Sequence, residues 1–181
     1  MKLQSVLGRR VLITGEAGSG KSTRLLELLR EAVSEGLGDL ITVIDMAPER
    51  TGGFGGKLRD LDPTVNQLRY LTSDAIVGPR TTGRDAGEVV AIARRNAALI
   101  DQLLLAYLKH PTPVLLINDV TIYLHAGDPE LLKAVIGASQ TFVGTAYEGI
   151  KLAEDKGSGL TAIERERLKL LKSWVDQVIS F

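Results

Sequence analysis

The stretch that most constrains the fold is Arg10 to Thr23, RVLITGEAGSGKST, where a short apolar run enters a turn carrying Gly15, Gly18 and Gly20. The apolar run reads as a buried strand. Beyond the turn, Leu25, Leu28, Leu29, Ala32 and Val33 recur at helical spacing until Gly36. A strand that leads at once into a helix pairs with its next neighbour through a crossover, and crossovers build parallel sheets.

The rest of the chain repeats that alternation. Leu40–Met46 reads as a second strand ended by Pro48, and Gln67–Thr72 as a weaker one. Between them, Ala47 to Lys57 holds four glycines and is expected to be a mobile loop; Ile76 to Gly87 is a second polar, arginine-bearing connection. Glu88 to His110 has a long helical pattern closed by Pro111 and Pro113. Val114–Asp119, VLLIND, is a continuous apolar strand of the kind covered on both faces. Asp128-Pro129 starts a helix that ends at Gly137, and Thr141–Thr145 is a further buried strand. Thr161-Ala-Ile-Glu164 has capping-box spacing and opens a last helix, after which Val175–Phe181 forms a closing edge strand. The expected fold is α/β: a parallel sheet sandwiched by helices in three layers, in one domain over 1–181.

Composition excludes several functions. Lys plus Arg and Asp plus Glu both total 22, so net charge gives no nucleic-acid footprint. The chain has no cysteine, hence no thiolate chemistry or Cys-based metal site. It lacks an apolar run long enough to span a bilayer and a signal-peptide core, so a cytoplasmic protein without membrane attachment is expected.

The spacing Gly15-x-x-x-x-Gly20-Lys21-Ser22 is that of a phosphate-binding P-loop, here between a strand and a helix as the motif requires. Backbone N–H groups of Gly15, Glu16, Ala17, Gly18, Ser19, Gly20, Lys21, Ser22 and Thr23 would surround a triphosphate, with the helix N-terminus behind them. Lys21 would reach the β- and γ-phosphates, and Ser22 would ligate Mg²⁺. Glu16 is expected to be a solvent-facing spacer. Asp119, at the end of VLLIND, has the form of a Walker B acid that holds Mg²⁺, while Asn118 points to the other side of the strand as a structural residue.

On Gly15–Thr23 and VLLIND, the chain resembles the RecA-like, ASCE-type branch of P-loop NTPases. That branch usually carries a catalytic Glu directly after the Walker B Asp; Val120 stands there instead. The resemblance makes Glu49, in VIDMAPER, the first choice for a replacement base. Asp45 could instead hold a second substrate. LINDVTIYLHAG, TFVGTAYEGIKLAEDKGSGL and VDQVISF are similar in order to ATP:corrinoid adenosyltransferases, though Thr145-Ala146-Tyr147 lacks the arginine of their Thr-Gly-Arg.

Other polar residues have a plainer reading beside a functional one. Thr145 is a γ-phosphate sensor or a buried strand-end threonine. Arg50, Arg80 and Arg84 close over phosphates, one of them across a subunit interface, or are solvated loop charges. His125 could be a catalytic imidazole but reads first as structural, and His110 complements a helix end. Glu164-Arg165-Glu166-Arg167 reads as a solvated helix face, Lys156–Gly159 as a flexible loop, and Trp174 as packing. Together these residues imply a Mg-ATP-binding protein with slow or partner-stimulated hydrolysis, acting alone, with a protein partner or as a homo-oligomer. A small-molecule kinase, an adenosyltransferase and a non-hydrolysing switch module are the alternatives. ATP is preferred to GTP because no Asn-Lys-x-Asp motif is present.

Overall fold

The computed structural model describes residues 1–50 and 56–181. Part of the expected mobile glycine loop, residues 51–55, lies outside the described residues. Among the described residues, six strands form one all-parallel sheet: β1 (Arg10–Gly15), β2 (Ile41–Asp45), β3 (Arg69–Thr72), β4 (Val114–Asn118), β5 (Thr141–Tyr147) and β6 (Gln177–Ser180). Their spatial order is β3-β2-β4-β5-β1-β6. Every expected strand is present, with shifts of one or two residues at most ends.

The strands alternate between two cores, as a sheet covered on both faces must. Leu12, Ile44, Leu115, Ile117 and Phe142 face one cluster. Val11, Ile13, Val43, Leu116 and Val143 face the other. Helix α1 (Lys21–Ser34) buries Leu25, Leu28, Leu29 and Ala32 on the second face, where the short α2 (Leu58–Leu61) adds Leu58. The first face is covered by α4 (Ala86–Lys109), α5 (Thr121–Leu124), α6 (Pro129–Gly137) and α7 (Leu160–Lys172). The short α3 (Pro79–Thr82) packs against α4.

The helix starts follow local chemistry. Asp85 caps α4 by accepting from the Glu88 N–H at 2.9 Å, and Asp128 caps α6 by accepting from Glu130, with Pro129 in the first turn. Helix α7 corrects one expectation. It begins at Leu160 after Gly159, whose φ of 77° is left-handed, so Thr161 is already helical. Asp155, not Glu164, receives the Thr161 N–H, and the expected capping box is not formed. Among the described residues, no helix is long and apolar enough to cross a membrane.

Candidate functional site

β1, β4 and β5 end on one rim of the sheet, and the turn after β1 curls over it. Gly20 caps α1 with φ 94°, a conformation that L side chains rarely adopt. At Gly15 the crowding is steric as well: a Cβ there would lie 2.6 Å from the Phe181 carbonyl oxygen. The Lys21 ammonium folds back into the turn, donating to the carbonyls of Gly15 at 2.9 Å and Glu16 at 2.7 Å. Burial lowers its pKa, and the charges of Asp119 and Glu16 work against that shift.

Beside this turn lies a cleft of about 320 Å³, within the usual size range for small-molecule sites. The turn from Ala17 to Thr23 lines it together with Arg50, Asn118, Asp119, Thr145 and Tyr147. The structure therefore brings Lys21, Ser22, Asp119, Arg50 and Thr145 to one cavity.

Asp119 breaks the strand alternation. Its φ of 56° is left-handed, which Asp tolerates better than most residues. As a result both Asn118 and Asp119 line the cleft, and sequence periodicity had put them on opposite sides. The Asp119 Oδ1 accepts from the Thr121 hydroxyl at 2.6 Å, and its N–H donates to Thr145 Oγ1 at 2.8 Å. Burial pushes its carboxyl upward; the Thr121 hydrogen bond and the Lys21 charge oppose the shift.

Asn118 is the residue that the sequence undervalued. Its Oδ1 accepts from Ser22 Oγ at 3.1 Å and from Thr145 Oγ1 at 3.0 Å, and its Nδ2 donates to Asp45 Oδ1 at 2.9 Å. Asp45 is fully buried and also accepts from the N–H groups of Ala47 and Leu58 and from the Tyr70 hydroxyl. Its carboxylate is committed to holding the rim together, which removes it from the role of second-substrate ligand. The neighbouring Lys57 is also buried and donates to Ala47 O and Thr72 Oγ1.

Glu16 is not a solvent-facing spacer. Its carboxylate accepts from Ala17 N and from Ile150 N, both at 2.8 Å, and from Lys151 N at 3.2 Å. Desolvation opposes its charge, but these backbone hydrogen bonds and one from Tyr147 outweigh it and hold the pKa at about 2. The segment after β5 is thereby fastened to the glycine turn after β1.

Glu49 lies outside the large cleft. Its side chain is 54% exposed, with one carboxylate oxygen 3.7 Å from an Arg59 nitrogen. It lines a smaller chamber of about 60 Å³ that shares Asp119 and Leu152 with the cleft. Arg80 and His125 line that chamber too.

Arg80 is neither a solvated charge nor open to a phosphate. Its guanidinium forms a bidentate pair with Glu164, at 3.1 and 2.7 Å, and its centre sits 5.5 Å from the Tyr147 ring centroid. Glu164 is buried and also lies 2.6 Å from His125 Nε2, so the expected solvated ERER face is corrected at this position. Arg167 departs from it as well, donating to the carbonyls of Leu124 and Gly127. Lys156 donates to Arg80 O and Gly83 O, which ties down the loop read as flexible. Arg84 pairs with Glu88 on the surface, away from the cleft. The His110 carbonyl accepts from Arg69, and Trp174 packs on the core beneath Lys133.

Comparison with protein-family models finds no match to this chain, and comparison with curated protein sequences finds none either.

Proposed function

We propose that this chain binds Mg-ATP in the cleft after β1 and hydrolyses it slowly, or faster with a partner. One juxtaposition carries the reading. The strand–turn–helix Gly15–Thr23, with its inward Lys21 ammonium, shares a cavity of ligand size with a left-handed strand-end carboxylate, Asp119. Residues in such sparsely populated backbone conformations concentrate at functional sites.

The donor set suits Mg²⁺. This ion takes one or two carboxylates, phosphate oxygens and water rather than a cage of protein ligands. Ser22 Oγ donates to Asn118, which leaves its lone pairs for a cation, and Asp119 Oδ2 is the oxygen not used by Thr121. Among the described residues no group of three or more His, Cys, Asp or Glu forms a metal cage. Bound there, Mg²⁺ would neutralise phosphate charge. Glu49, which lines the small chamber beside Asp119, is the carboxylate placed to receive a proton from water.

Product analysis after incubation with Mg-ATP tests the reading. ADP with phosphate is the expected result. Triphosphate release would indicate adenosyl transfer, and ADP formed only after adding an acceptor would indicate a kinase. Tight binding without turnover would leave a switch module.

A further inference from the structure

We propose that a second cavity, between α7 and the end of β5, binds a small phosphorylated molecule through Arg165 and Lys169. This site is independent of the Mg-ATP reading. The cavity has a volume of about 340 Å³, within the range of small-molecule sites. Tyr147, Glu148 and Gly149 line one side of it. One face of α7 lines the other, carrying Arg165, Leu168, Lys169 and Lys172 at the spacings of three and four that bring side chains together on a helix.

The charges on this cavity do not cancel, although those of the whole chain do. Lys172 donates to Glu148, so that pair is neutral. Glu164 also lines the cavity, but it is buried and matched by Arg80, which does not line it. Arg165 and Lys169 remain. Both are exposed, and neither side chain has an ion pair or hydrogen bond among the described residues. Glu166, the acid between them in sequence, does not line the cavity. The ERER face is therefore solvated at Arg165, as the sequence implies, yet that arginine borders a hollow of ligand size.

Two like charges one helical turn apart repel, and an anion between them offsets that cost. A phosphate monoester carries about 1.5–2 negative charges at neutral pH, which matches the unpaired cations. The planar guanidinium of Arg165 can pair with two phosphate oxygens, and the Lys169 ammonium acts on the group as a point charge. Free phosphate would leave most of the cavity empty. Tyr147 and Leu168, only 7% and 4% exposed, supply apolar surface for a carbon skeleton. Tyr147 lines the large cleft as well, so the two cavities share this side chain.

Titration of ¹⁵N-labelled protein at constant ionic strength tests the site, with glycerol 3-phosphate and inorganic phosphate as probes. The amide signals of Gly149 and of residues 165–172 are expected to shift and saturate, with glycerol 3-phosphate bound more tightly than inorganic phosphate. Arg165→Gln and Lys169→Gln are each expected to weaken glycerol 3-phosphate binding about tenfold, and the double variant to abolish saturation. Both positions are exposed, and the unshifted remainder of each spectrum checks that the variants are folded. Shifts that stay linear, that saturate equally in the double variant, or that are confined to residues 15–23 overturn the site. Equal or tighter binding of inorganic phosphate overturns the assignment of an ester. Failure of the Mg-ATP reading is a separate result: residues 15–23 would not respond to Mg-ATP, and the α7 site would stand.

Discussion

The Asn118 side-chain amide donates to Asp45 Oδ1 at 2.9 Å and ties the end of β4 to the end of β2. On its other side the same amide accepts from Ser22 and Thr145. Removing a buried partner leaves the groups it satisfied without compensation. Asn118→Ala strands Ser22, Thr145 and Asp45 together, and a loss of about 1–3 kcal/mol is expected in urea unfolding. Asn118→Asp sets a second carboxylate against Asp45 and is expected to cost more.

On the Mg-ATP reading, Lys21 contributes through the ligand as well as through its hydrogen bonds to Gly15 O and Glu16 O. At a hundredfold excess over its dissociation constant, a nucleotide adds about 2.7 kcal/mol to stability. Lys21→Ala is expected to lose most of the Mg-ATP-dependent rise in melting temperature, and to lower the ligand-free melting temperature as Gly15 O and Glu16 O lose their donor. Differential scanning fluorimetry with and without Mg-ATP separates the two effects. A full ligand shift in the variant would place the phosphates elsewhere.

What was legible in the sequence was local. RVLITG followed by KSTRLLELL announces a strand, a turn and a helix within one stretch, and the structure has β1 and α1 there. Asp119 was legible because a carboxylate at the end of VLLIND lies on the rim where β1 also ends. Its left-handed φ is not legible there, and that angle is what lets Asp119 share the cleft with Asn118. Glu164 shows the other limit. ERER on a helix is indistinguishable from a solvated face until the fold sets Arg80 and His125 against its first residue. Glu16 was misread for the same reason, since its partners Ile150 and Lys151 lie more than 130 positions away.

The Arg80–Glu164 pair gives a prediction about stability that is independent of catalysis. Both side chains are almost wholly buried, at 7% and 4% exposure. Truncating one member of a buried pair leaves an uncompensated charge, and such changes cost about 3–5 kcal/mol. Glu164→Ala is expected in that range. The double variant Arg80→Met with Glu164→Leu is expected to recover a large part of it, because the stranded guanidinium is removed too. A double-mutant cycle in urea measures the coupling; simple additivity of the single losses would show the pair to be energetically independent.

Asp119 ties stability to pH and, on the Mg-ATP reading, to the cation. Burial raises its carboxyl above the ordinary 3.8, so the folded chain binds this proton more tightly than the unfolded chain does. Stability then falls as pH rises from 3.8 through the folded-state value, and above that the penalty for the bare charge is complete. Asp119→Asn removes the charge while keeping a residue that tolerates a φ of 56° and can still accept from Thr121. In the absence of ligand at neutral pH, the variant is expected to melt higher than the unmodified protein, with the gap closing as the pH is brought down toward 3.8. With ATP present, the unmodified protein is expected to gain stability on adding Mg²⁺, and Asp119→Asn is expected to lose that gain. A variant that melted lower without ligand at neutral pH would show that the carboxylate is stabilised by its surroundings, and that no cation is needed to offset its burial.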